Sequence, residues 1–299
     1  MTTLERTLPA PPAGPTRRFA GWLHRHDRVR LALLLVLPVG GLIVVYFGSL
    51  VILLINAFWS KDPFTSLVVH EFTLDNFVEL ATTEVYRVVT VRTVGMAALV
   101  TATCIAIAFP IAYYMARIAS VRARGILVVA VLMPLWASYL IKAYSWRIIL
   151  SDDGVLNWLL APFGLSGPGL TGLVPVWITF TYLWLPYMII PIYAGLERIP
   201  PSLLEASADL GGHAGTTFRR VVLPLVLPAV IAGSIFTFSL TLGDYIVPNT
   251  VSNVQFIGNV IQVNQAQNLP LAAAYSMVPL AIMLAYLLVA RRLGAFEAI

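Results

Sequence analysis

The chain has 299 residues and a formal net charge of +5, with 59% hydrophobic and only 11% charged residues. A soluble domain carries about a quarter of its residues as charged side chains, so this composition excludes a soluble enzyme or binding module and marks an integral membrane protein. The basic residues do not gather into one patch interleaved with aromatics, which excludes a nucleic-acid binder.

Taken from the start, residues 1–30 hold Pro9, Pro11, Pro12 and Pro15, then arginines, with no apolar periodicity, and read as a disordered or interfacial tail. Arg17-Arg18 matches part of a twin-arginine export signal, but the apolar stretch from Leu31 is too long for a signal core. A span needs about 20 mostly apolar residues. Six stretches qualify: 31–58, 93–116, 126–149, 173–196, 223–247 and 271–290, an all-α polytopic bundle followed by a short tail over 293–299. In the third, Lys142 and Arg147 lie toward the end and are expected to snorkel to the headgroups. Every stretch contains proline (Pro38, Pro110, Pro134, Pro186 with Pro191, Pro228, Pro279). Proline frees a backbone carbonyl, which lipid tolerates only where neighbours or water satisfy it.

Orientation follows from Lys and Arg placement. Arg6, Arg17, Arg18, Arg25, Arg28 and Arg30 precede the first stretch; Arg117, Arg122 and Arg124 follow the second; Arg198, Arg219 and Arg220 follow the fourth; Arg291 and Arg292 follow the sixth. Both termini of the multi-pass chain are therefore expected in the cytoplasm. The opposite side collects Asp62, Glu71, Asp75, Glu79, Glu84, Asp152 and Asp153, individually a solvated face and together an entry favourable to cations.

Between the fourth and fifth stretches, 205–224 reads EASADLGGHAGTTFRRVVLP, a polar, glycine-broken insertion in the cytoplasm by this topology. Residues 202–210 suit a short helix with Pro201 in its first turn and Gly211-Gly212 ending it. Glu205-Ala206-Ser207, Gly211, then nine residues and Val221-Val222-Leu223-Pro224 resemble the EAA loop of permease subunits of ABC importers, Ser207 standing where alanine is usual. Phe72 through Phe77 (FTLDNF), Phe109 through Arg117 (FPIAYYMAR), LSDDGVLNWLL at 150–160, GDYIVP at 243–248 and GNVI at 258–261 resemble the first permease subunits of spermidine/putrescine importers. Permeases for other small solutes share parts of these motifs.

The resemblance implies the type I ABC importer permease fold over 31–292, with the EAA loop at about 198–223. It implies ATPase-coupling roles for Glu205, Ala206, Ser207, Asp209, Gly211, Leu223 and Pro224. It further implies an ATPase dimer holding ATP and Mg, a second permease subunit of the same fold, and an extracytoplasmic solute-binding protein, in membrane lipid. No cofactor is expected in this chain itself.

No catalytic constellation is present. His24, His26 and His213 fall on the cytoplasmic side and His70 outside, and no GxxxxGK[ST], CxxC or GxSxG occurs. The single cysteine, Cys104, reads as a small buried residue. Asp244 is the one acid deep in a proposed span, beside Tyr245, and an intramembrane ionisable group is a functional candidate by its cost. It either contacts substrate or serves structure, capping a helix break or pairing with Lys142 or Arg147. Trp136, Tyr139, Tyr144, Trp146, Tyr182, Trp184 and Tyr187 supply aromatic faces that attract ammonium groups, and of these Trp136, Trp146 and Tyr182 join Asp244 and Tyr245 as candidate path residues. The function expected is an importer permease moving a polyamine by alternating access. Alternatives are a permease for an iron, phosphonate or sulfate type of solute, an intramembrane enzyme, which the lack of paired acids or histidines at one depth disfavours, and a non-transporting subunit.

Overall fold

The computed structural model describes residues 27–62 and 64–292, so the readings of 1–26 and 293–299 as tails lie outside the described residues. The chain divides into two units, one ending at Ile55 and the other beginning at Asn56. The first contains most of α1, which runs from Asp27–Leu42 through a π-turn at Ile43–Phe47 into Gly48–Asn56. Helix therefore begins before the expected boundary at residue 30. Its apolar part, Leu34–Asn56, has 23 residues, about 34 Å at 1.5 Å per residue, enough for a hydrocarbon core of about 30 Å.

The second unit opens with a two-residue ladder, β1 (Ser60–Lys61) antiparallel to β2 (Val68–Val69). In the turn between them the backbone N–H groups of Thr65 and Phe64 donate to Asp62 and hold its carboxyl below the ordinary aspartate value. One of the outer acids is thus a turn residue. Next come α2 (Asp75–Thr82) and α3 (Glu84–Ile118), which ends in a π-turn at Tyr114–Ile118. FTLDNF is structural here: buried Asn76 donates to Ala57 O and Trp59 O at 3.0 and 2.7 Å, and Phe58 lies between Phe72 and Phe77.

The remaining elements are α4 (Val121–Trp136), α5 (Tyr139–Leu150), α6 (Val155–Leu160), α7 (Val174–Glu197), α8 (Pro201–Asp209), α9 (Ala214–Gly243), α10 (Ile246–Val251), α11 (Ile257–Gln267) and α12 (Leu269–Arg292). Among the described residues five helices are long and apolar enough to cross a membrane, or six if a bent pair is one span. The stretch 126–149, expected as one span, is broken between α4 and α5, with a bend of 95°. Ala137 and Ser138 are extended, at ψ 141° and 137°, three residues after Pro134. The expected fifth span, 223–247, starts earlier, at Ala214, and stops at Gly243. A π-turn at Phe218–Val222 carries the helix out of the loop, and extended Asp244 ends it.

The core is built where α3, α7 and α9 pack pairwise. Met96, Val100, Cys104, Ala108 and Ala112 recur every four residues on one face of α3 and are buried, so backbones approach closely, as packing in lipid favours. Cys104 is fully buried, the role expected of it. At the α7–α9 crossing a Cβ on Gly195 would lie 2.6 Å from Ala229 Cβ, and one on Gly233 2.8 Å from Met188 Sδ. Hydroxyls join helices across this core: Thr237 Oγ1 donates to Thr101 Oγ1 at 3.3 Å, and Tyr286 OH to Ser234 Oγ at 2.7 Å.

Candidate coupling hairpin and helix-break site

The segment 205–224 folds as a helical hairpin whose geometry follows from its glycines. α8 closes in a Schellman motif: Gly211 N–H donates to Ala208 O at 2.9 Å and Gly212 N–H to Ser207 O at 2.8 Å, with Gly211 at φ +79°. Nothing lies within 4 Å of a Gly211 Cβ, so the demand there is for a left-handed backbone, whereas a Cβ on Gly212 would meet Ser207 O at 2.6 Å. Ser207 Oγ and Thr217 Oγ1 are 2.8 Å apart. The serine in place of the usual alanine therefore ties the two arms of the hairpin, a role its small size alone did not announce.

Glu205, Ala206 and Asp209 are exposed, as are Leu223 and Pro224 where the second arm continues into α9. Among the described residues the only ion pair is Arg124–Glu197, so neither hairpin acid is paired. Leu210, which the sequence reading passed over, is 89% exposed at the tip. The base is fixed instead. Arg117 Nη2 donates to Leu196 O and Ile199 O at 2.6 and 2.8 Å, and Arg124 to Met115 O and Ala116 O at 3.1 Å each. Both cations sit on helix C-terminal carbonyls, where orphan acceptors and the helix dipole favour them.

In the other candidate site two helix breaks meet. Asp244 lies at ψ 135° just beyond α9, and its Oδ1 accepts the Val247 N–H at 2.9 Å, capping α10. Its Oδ2 accepts the hydroxyl of Tyr139, the first residue of α5. The sequence left open a pairing with Lys142 or Arg147; the acid pairs with neither. Lys142 Nζ donates to Pro134 O at 3.1 Å and Arg147 Nη1 to Thr250 O at 2.6 Å. Both cations serve broken helices, whose last carbonyls require donors.

Asn259, 2% exposed, holds the turn after Asp244. Its Nδ2 donates to Tyr245 O at 3.0 Å and to Asn249 Oδ1 at 2.7 Å, while Oδ1 accepts the Phe256 N–H at 2.9 Å. A Cβ on the neighbouring Gly258 would lie 2.8 Å from Asp244 O. The GNVI and GDYIVP segments are thus two halves of one packed turn.

Of the aromatic candidates, Trp146 and Tyr182 face each other with ring centroids 5.3 Å apart. Tyr245 is 40% exposed; Trp136 is 82% exposed and makes no ring contact among the described residues. The rings joined to Asp244 are others: Tyr139 stacks on Trp184 at 5.9 Å, and Trp184 on Phe180 at 6.2 Å. Tyr139 and Trp184 stood among the aromatic faces of the third and fourth stretches, but nothing in the sequence joined either of them to Asp244.

Comparison with known proteins bears on both regions. Residues 104–296 match the family model described as the binding-protein-dependent transport system inner membrane component. The inner membrane ABC transporter permease protein YdcU of Escherichia coli K12 is 44% identical over 94% of this chain and 95% of its own length. The spermidine/putrescine transport system permease protein PotB of the same strain is 30% identical over 82% of this chain and 90% of its own. A chain of a bacterial ABC transporter that imports the acidic polysaccharide alginate shares the fold, with a TM-score of 0.65 at 22% identity over 92% of this chain and 99% of that one.

Proposed function

The chain belongs to the binding-protein-dependent transport system inner membrane components, and from that premise we propose that it passes a polyamine or similar small organic cation. It is the permease subunit of an ABC importer, an inner-membrane component and not an enzyme; ATP is hydrolysed by a separate chain, and a binding protein delivers the solute. In our reading a second permease of the same fold completes the pathway, two ATPase subunits carry ATP and Mg, and each receives one α8 hairpin. Glu205, Ala206, Ser207, Asp209 and Gly211 form the docking element, with Leu223 and Pro224 at its junction to α9.

The observation that carries the cation reading is a half-buried carboxylate, Asp244, at a helix break among aromatic rings. The relatives named for spermidine and putrescine support it. Tyr139 and the Val247 N–H satisfy that carboxylate at rest, and a passing ammonium is a charged and therefore stronger partner for it. Asp244→Asn keeps the shape and removes the charge. Loss of a charge-assisted hydrogen bond of about 1.5–3 kcal/mol is expected to raise the apparent KM for labelled putrescine about tenfold or more in the reconstituted importer, with assembly intact. Unchanged kinetics would make Asp244 structural, and a binding protein that prefers sulfate would remove the cation reading while leaving the importer in place.

The arginine asymmetry supports a cytoplasmic location for both termini and the α8 hairpin. Replacing His213 at the hairpin by cysteine is expected to give a thiol that reacts with an impermeant maleimide only after the cells are opened. Labelling of intact cells would invert the topology.

A further inference from the structure

We propose that Tyr139 is a positioning residue for transport, its hydroxyl holding Asp244 as an internal stand-in for cargo and latching two helix breaks together until it is displaced. The inference rests on the permease reading above and on a cationic cargo, and not on that cargo being a polyamine.

The two breaks belong to different parts of the chain, Ala137-Ser138 between α4 and α5 and Asp244-Tyr245 between α9 and α10. Two side-chain bonds join α5 to this second break region. Arg147 donates to Thr250 O in the last turn of α10, and Tyr139 donates to Asp244 Oδ2. Rotation of the Tyr139 side chain releases the second bond while Asp244 Oδ1 goes on capping α10 through Val247. The link between the two breaks can therefore open without unfolding α10.

The surroundings of Tyr139 also point to a second arrangement. Its ring stacks on Trp184, with planes 10° apart. Trp184 is 6% exposed, and its indole N–H has no hydrogen-bond partner. A buried donor left unpaired in a native structure needs a reason; a cluster whose other arrangement supplies an acceptor, such as the released Tyr139 oxygen, is one. Asp244 is half-buried, and neighbouring Tyr245 is exposed. A phenol offers one hydrogen and no charge, whereas an ammonium offers three with a full charge, so a cationic cargo displaces the latch where water or a neutral hydroxyl does not.

The test uses the assembled importer in nanodiscs. Tyr139→Phe keeps the ring stack and removes only the hydroxyl. Losing one hydrogen bond that holds the closed arrangement is expected to raise cargo-independent ATP hydrolysis about fivefold, and by less than about twofold in an Asp244→Asn background, where only a weaker neutral bond remains to be lost. A role in ring packing alone would leave both rates unmoved.

The second measurement needs no cargo and no phenylalanine variant. In a Cys104→Ala background, Tyr139→Cys combined with Asp244→Cys is treated with a short bifunctional thiosulfonate, in the resting complex and in the complex trapped with ATP and vanadate. Efficient cross-linking in one state and its loss in the other is the expected result. An unchanged or lowered hydrolysis rate in Tyr139→Phe, or equal cross-linking in both states, overturns the proposal. Failure of putrescine uptake removes the polyamine reading and leaves both of these measurements standing.

Discussion

Gly211→Val is expected to abolish cargo-stimulated ATP hydrolysis by the assembled importer, and Ala206→Trp to do the same by a different route. Gly211 sits at φ +79°, a region where a β-branched residue is a genuine outlier and where even an ordinary L-residue costs about 1–2 kcal/mol. Its Cβ would meet nothing within 4 Å, so the loss comes from the backbone alone. The Schellman turn opens, and the α8 arm leaves the orientation set by the Gly212–Ser207 bond. Ala206 is exposed, so tryptophan there does not disturb this chain's own packing but holds a partner surface away from α8. Each 1.4 kcal/mol of lost docking is tenfold in affinity, and a wedge of indole size removes several close contacts at once. The check is stimulated ATP hydrolysis together with co-purification of the ATPase. Full stimulated activity in both variants would detach this hairpin from coupling.

Gly258→Val is expected to abolish uptake through the other site. A Cβ there would lie 2.8 Å from Asp244 O and 3.0 Å from Gly243 O, both backbone atoms, so no flexible side chain can give way. Overpacking of this kind costs about 1–3 kcal/mol and displaces the carboxylate of Asp244 from Tyr139. The variant is expected to insert, to bind the ATPase through its intact α8 hairpin and to lose transport, with a lowered thermal midpoint. Wild-type uptake by Gly258→Val would mean that the packing of α11 against the break does not set the position of Asp244.

The hairpin was legible because its signals are local. Gly211 and Gly212 end a helix through the conformation of the next few residues, so their spacing from Glu205 and from Leu223-Pro224 stands in the sequence itself. What it did not show is the Ser207–Thr217 bond, which needs the two arms to have folded, or the exposure of Leu210 at the tip. The helix breaks were less legible. Hydropathy averages over a window of about 20 residues, and Ala137 and Ser138 are too few to interrupt the apolar stretch 126–149. Lys142 and Arg147 looked like residues seeking the headgroups because a lone cation in an apolar stretch has no other visible partner. The carbonyls they bind exist as free acceptors only once the helices have broken.

By itself the sequence determined that the chain belongs in a membrane, which stretches are apolar enough to cross it, how the arginines divide among the loops, and where the 205–224 hairpin turns. All of these are set by composition or by residues a few positions apart. Tertiary structure decided what Asp244 touches. Its partner Tyr139 lies 105 residues away, and the two meet because α5 and α10 start at breaks that the packing of α3, α7 and α9 brings to one place. A carboxylate in an apolar environment must find a donor, but which donor is a matter of distance in space, to which neither periodicity nor charge pattern gives access.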